Sequence, residues 1–158
     1  MIIKYMPGEG GEPQYYDAGR LRASEIQVAE RTAARPWTEI KDAMDKGDIN
    51  AMRVAAWVVR KRTEPSLRFG DFDPFEDEMR VLLDARESRA YAEKLFEMYG
   101  GTDDLAEAFD ELREASFDLE ACEQAIADVT APKSPAAPEP APEPEPEPEE
   151  SPASPSAT

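Results

Sequence analysis

Residues Gly70-Asp-Phe-Asp-Pro-Phe-Glu-Asp-Glu78 concentrate five carboxylates in one short stretch, an arrangement that raises the chemistry of a calcium loop. An EF-hand loop places oxygen ligands at alternating positions, then a glycine, then a closing glutamate, and Pro74 and Phe75 interrupt that order. The acids fit better as capping of a helix N-terminus, where the macrodipole stabilises negative charge. Arg60-Lys-Arg62 is the one basic cluster. It follows an apolar stretch, so its expected place is a helix C-terminus, where cations complement the dipole. Trp37 and Trp57 are large aromatic anchors of the kind enriched at interfaces, although both fall on apolar helical faces that favour core packing. Trp37, Trp57, Arg60, Lys61, Arg62 and Phe69 are therefore the candidate partner-binding residues. Cys122 stands alone, which rules out an intramolecular disulfide and predicts a small buried side chain.

The chain has 158 residues and no histidine. That removes the commonest general base near neutral pH and the commonest metal ligand. Carboxylates can also catalyse, but they need a pocket that perturbs their pKa, and here they spread along faces that read as solvated. The expectation is a binding protein with no enzyme activity, no cofactor and no metal site. Lys and Arg total 18 against 35 Asp and Glu, a formal charge of −17 that opposes nucleic acid and anionic membrane. No apolar run approaches the ~20 residues that span a bilayer. Met1-Ile2-Ile3 is too short for a signal peptide and Lys4 interrupts it, so a cytosolic location is expected.

These residues need elements to position them. Ile2 to Tyr5 and Gln14 to Tyr16 are β-prone and flank Pro7-Gly-Glu-Gly-Gly-Glu-Pro13, which predicts an N-terminal β-hairpin within residues 1–22, extended by Arg20-Leu-Arg22. Ser24 with Gln27 predicts a capping box opening a first helix. Pro36, with Trp37, Ile40 and Met44 on one face, predicts a second. Asp48 caps a third to about Arg62, whose Val54-Ala-Ala-Trp-Val-Val59 is apolar all round and marks the core. Asp73-Pro74 predicts a fourth with Phe75, Met79 and Leu82 on its face. A helix near Glu87 carries the stripe Tyr91, Leu95, Met98 and stops at Gly100-Gly101. Thr102 caps one bearing Leu105, Phe109 and Leu112, and Ser116 caps a last one bearing Leu119, Ile126 and Val129. The fold class is mainly α: a compact helical domain of about six helices over residues 23–130, with a small hairpin before it. From Ala131 to Thr158 there are ten prolines, six glutamates and one lysine, with no aromatic or β-branched aliphatic residue. This predicts a disordered Pro/Glu-rich tail. It holds −5 of the charge, so residues 1–130 carry −12.

The order Arg20-Leu-Arg-Ala-Ser-Glu25, Ala29-Glu30, Trp37-Thr-Glu-Ile40, Gly47-Asp48, Ala55-Ala-Trp-Val-Val-Arg-Lys-Arg62 and Pro65-Ser-Leu-Arg-Phe-Gly-Asp71 resembles tail assembly chaperones of long-tailed actinobacterial phages. The resemblance covers roughly the middle 60 residues as a pattern of elements whose order is the distinctive part. It implies a protein that coats the tape measure protein, keeps it soluble and brings major tail-tube subunits to it, acting in the host cytoplasm and absent from the mature virion. Self-association is compatible with it. A structural or scaffolding protein that enters the particle, and an acidic DNA mimic that blocks a host protein, are the competing readings. Virion composition separates the first of these, since a chaperone is missing from the particle. The second needs carboxylates arrayed along one exposed surface.

Chaperones of this type are often made in two lengths by a −1 ribosomal frameshift, which the resemblance places near the end of the shorter product. Ala131-Pro132-Lys133 can be encoded as GCC CCA AAG, which contains the slippery heptamer C CCA AAG, although Asp73-Pro74-Phe75 can also satisfy the pattern. The long form would then carry a different C-terminal module, the route to tail-tube subunits. Sequencing the coding DNA tests this: the heptamer at Ala131 to Lys133 with an open −1 frame beyond is expected, and another codon choice without that frame rules it out.

Overall fold

A computed structural model describes residues 1–8 and 10–131 of the chain. The expected tail, apart from Ala131, and two residues of the expected frameshift position, Pro132 and Lys133, lie outside the described residues. Among the described residues are six α-helices and a three-stranded antiparallel sheet of order β2-β1-β3. The mainly α reading holds.

Strands β1 (Ile2–Tyr5) and β2 (Gln14–Asp17) form the expected hairpin, with Ile3 opposite Tyr16. Side chains alternate across a strand, so this pair points together into the core, where both are buried. Arg20-Leu-Arg22 does not extend the sheet. Ala18–Arg20 winds into a 3-10 turn, closed by the Asp17 carboxylate accepting from the Gly19 N–H at 2.9 Å. Helix α1 (Ala23–Ala33) opens at Arg22, whose N–H donates to Glu25 Oε2 at 2.6 Å, in place of a Ser24 cap. Helix α2 (Trp37–Asp45) follows Pro36 and buries Ile40 and Met44.

Helix α3 (Ile49–Arg60) is capped by Asp48, which accepts from the Ala51 N–H at 3.0 Å. It buries Ala51, Met52, Val54, Ala55, Ala56, Trp57 and Val58, so it is enclosed on nearly every side and organises a first core with the sheet, α1 and α2. The helix expected after Asp73-Pro74 does not form. Met79–Leu82 is instead strand β3, antiparallel to β1, with Ile3 opposite Val81. The spacing of Phe75, Met79 and Leu82 suits a helix, yet Met79-Arg80-Val81 also alternates, and the free edge of β1 supplies backbone partners that decide between the two periods. Phe75 is left 74% exposed.

Helices α4 (Ala85–Tyr99), α5 (Asp104–Ala115) and α6 (Leu119–Thr130) enclose a second core of Ala92, Phe109, Leu112, Cys122, Ala125 and Ile126. Cys122 is fully buried, as its type predicts. Two expectations fail here. On α4 the buried residues are Ser88 and Ala92, while Tyr91 and Met98 stand exposed and only Leu95 packs against the core. Small side chains at the α4/α6 contact let the helices approach closely, and bulky ones are turned out. Leu119 is likewise exposed. Nor do Thr102 and Ser116 cap. Asp103 and Asp118 take those positions, and Ser116 Oγ bonds Ser88 Oγ at 2.8 Å and donates to Leu112 O at 2.7 Å.

The two cores meet at Leu83. Its N–H donates to Ala115 O at 2.8 Å and its carbonyl accepts from the Phe117 N–H at 2.9 Å. Hairpin and helices therefore share one architecture, and the boundary expected at residue 22 is crossed by the sheet.

One unforeseen clip holds the segment after α3. Arg53 donates from Nε to Phe72 O at 2.6 Å and from Nη2 to Phe69 O at 3.0 Å, with its guanidinium 4.2 Å from the Phe69 ring centroid. Arg53→Ala strips both carbonyls of a charged donor, and a loss of about 2–3 kcal/mol in urea unfolding is expected. A loss below about 0.5 kcal/mol would show that the clip contributes little.

Candidate partner-binding surface

Three of the six candidate partner-binding residues, Trp57, Lys61 and Phe69, come together where the chain after α3 folds back on it, while Arg60 and Arg62 turn to other partners. The Trp57 ring meets Phe69 edge-on at 5.3 Å, and its Nε1–H donates to Leu67 O at 3.2 Å. Lys61 Nζ lies 5.1 Å from the Trp57 ring. Arg60 Nε donates to Glu64 at 2.8 Å. Arg62 grips Glu25 with two bonds of 2.7 Å and donates to Arg20 O at 2.9 Å. Trp37 lies apart, half-buried against the first core, with its backbone N–H donating to Glu30 Oε1 at 2.9 Å. The basic run thus ends α3 as expected, and its charges are engaged within the chain. The Arg62 guanidinium, as hydrogen-bond donor and nearby cation, holds the Glu25 carboxyl down at about 2.

The acidic stretch 70–78 does not start an α-helix, which corrects its expected role. Glu78 instead ties two loops, accepting from the Gly8 N–H at 2.7 Å and the Phe75 N–H at 2.8 Å. Asp73 lies 3.4 Å from Arg53. Among the described residues no group of three or more His, Cys, Asp or Glu side chains is placed to hold a metal ion.

A further opening lies elsewhere. An open groove of about 550 Å³ runs between α4 and α5, floored by Val81 and Leu83. Tyr91 and Leu95 form one wall, Ala108, Leu112 and Ala115 the other, and Asp45, Glu87 and Glu111 bring carboxylates to it. Burial raises the Asp45 pKa, and the negative charges of Glu87 and Asp42 raise it further. The groove is apolar inside and electronegative at its edge. Its main wall was visible in the sequence as the stripe Tyr91, Leu95, Met98, but that stripe reads as core when the partner helix of α4 is unknown.

Comparisons with protein-family models, with characterised proteins and with solved structures find no match to this chain.

The Glu25–Arg62 pair has a pH signature. Its carboxyl is depressed from 4.5 to about 2, so the stabilisation is complete above about 4.5 and is lost as pH falls towards 2. Thermal melts of the unmodified chain and of Glu25→Gln across that window test it: the gap between them should shrink as the pH drops, and a constant gap would remove the pair from the acid response.

Proposed function

We propose that this protein is a tail assembly chaperone of a long-tailed actinobacterial phage or prophage, which binds the tape measure protein, keeps it soluble and promotes tail-tube polymerisation around it. The reading rests on the order of segments from Arg20 to Asp71 that resembles that family. Its support from the fold is that these segments pack about one helix: α1, α2 and the hairpin lie against α3, and Phe69 and Phe72 are drawn back onto it by Trp57 and Arg53.

A tape measure protein is a long helical chain that exposes apolar stripes until the tube encloses it. A chaperone for it needs an apolar surface to cover those stripes and enough charge to keep the loaded complex apart from its neighbours. Residues 1–130 carry −12, which supplies the second requirement. The role is non-catalytic, exercised in the host cytoplasm, and leaves the protein out of the finished particle. The frameshift belongs to this reading too. Helix α6 ends at Thr130, so a shift at Ala131 to Lys133 leaves all six helices in both the short and the long product, and the two differ only in their C-terminal segments. The long form would be the one that recruits tail-tube subunits.

Coexpression with the tape measure protein encoded by the same genome tests the proposal. A several-fold gain in soluble tape measure protein and its copurification with this chain are expected. No gain and no copurification would sink it.

A further inference from the structure

We infer that the groove between α4 and α5 is a docking site for an amphipathic helix that carries Lys or Arg along its flanks. The inference deepens the chaperone reading and rests on it only for the identity of the natural partner.

The walls have the spacing of a helix seat. On α4, Glu87, Tyr91 and Leu95 recur every four residues, and on α5, Ala108, Glu111, Leu112 and Ala115 occupy one face. Ala108 and Ala115 sit one heptad apart, about 10 Å along the axis, and keep the α5 wall low. A third helix can then approach at the 8–10 Å separation of packed helices, with an apolar residue set between Tyr91 and Leu112. Tyr91 is half exposed, and Met98 continues its stripe one turn beyond Leu95 at 58% exposure.

Charge selects the occupant. Asp45 and Glu111 line the groove and take part in none of the ion pairs within 4 Å among the described residues, whereas Glu87 is shared with the Met1 ammonium. A second copy of this chain would bring the same carboxylates to the contact. The segment after Ala131 would bring six glutamates against one lysine. Both are repelled by the rim, and a helix flanked by Lys or Arg is attracted to it.

The probe is a fluorescently labelled synthetic helix of about 18 residues, or five turns, built of Leu and Lys in an amphipathic pattern, with a Leu and Glu counterpart as control. Anisotropy is read against the full chain, its Asp45→Lys/Glu111→Lys double variant and its Ala108→Trp variant, each checked for folding by circular dichroism. Tyr91→Ser, at a half-exposed position, replaces Ala108→Trp if the latter does not fold. The Lys helix should bind and the Glu helix should not. Both the charge variant and the filled-groove variant should weaken binding by about tenfold or more. Variants that bind as well as the unmodified chain, or a Glu helix that binds equally, overturn the inference. Rescue of the tape measure protein without any binding of the Lys helix also overturns it and leaves the chaperone reading standing. Binding of the Lys helix that the variants abolish, without rescue of the tape measure protein, sustains the groove and removes the chaperone reading.

Discussion

The pairing of β3 with β1 is the constraint on which the rest of the molecule depends. It returns residues 79–82 to the first strand of the chain and so fixes where everything after them can lie. Met79 enters the first core on one face of the sheet, while Leu82, on the opposite face, is buried beside its cross-strand partner Ile2. One residue later, Leu83 is held by backbone bonds to Ala115 and Phe117, which anchors the α5–α6 connection to the sheet. Asp84 then caps α4, accepting from the N–H groups of Arg86 and Glu87 at 3.0 Å. Strand, clamp and cap succeed one another within six residues, leaving little freedom in how the second core meets the first. A slip of β3 by one residue would exchange its faces and carry Met79 out of the core.

The scarcity of cations shapes what remains on the surface. With 18 Lys and Arg against 35 acids, each cation spent inside leaves the exterior more negative. Several are spent as clips between elements. Arg53 holds the turn after α3, Arg62 joins α3 to the start of α1, and Arg35 reaches Asp48 at 3.0 Å. In the second core Arg113 bridges α5 to Glu123 on α6 at 2.7 Å, and Arg89 of α4 reaches Asp128 at 3.0 Å. Exposed pairs of this kind contribute little to stability one by one, since water screens them. Their larger effect is on orientation, because a guanidinium that bridges two helices favours one relative placement of both.

Local signals made much of this architecture legible in advance. Helix α3 could be read from an apolar run too long for a strand, with Asp48 before it and basic residues after it, and the structure keeps all three features. The hairpin could be read from two short β-prone runs around glycines, two of which, Gly8 and Gly10, adopt positive φ. The errors share a cause. Phe75, Met79 and Leu82 satisfy a helical period, and only the free edge of β1, some seventy-five residues earlier in sequence, decides for a strand. Tyr91, Leu95 and Met98 form the more apolar stripe of α4, but which stripe is buried depends on how closely its neighbours approach: Ala92 packs in the core with Cys122, Ala125 and Ile126 of α6, and Ser88 meets Ser116 after α5. Arg53 gave no signal, since its hydrogen-bond partners are the backbone carbonyls of Phe69 and Phe72, which carry no mark in sequence.

The second of those errors bears on function. Had α4 buried its bulky stripe, the groove would lose its apolar wall. Packing small residues inward leaves Tyr91 and Met98 about half exposed, and so forgoes part of the roughly 1.5–3 kcal/mol that full burial of a large side chain contributes. Part of that cost is recoverable on binding, because a partner helix that covers Tyr91 and the open side of Leu95 removes that surface from water. The carboxylates at the rim guard the exposed patch meanwhile. They place like charge against like when two copies approach face to face, and they discriminate among helices by flank charge more than by the detail of their apolar side chains. A surface of that kind suits successive stretches of a long amphipathic chain, which vary in sequence but repeat in pattern, better than it suits one fixed peptide.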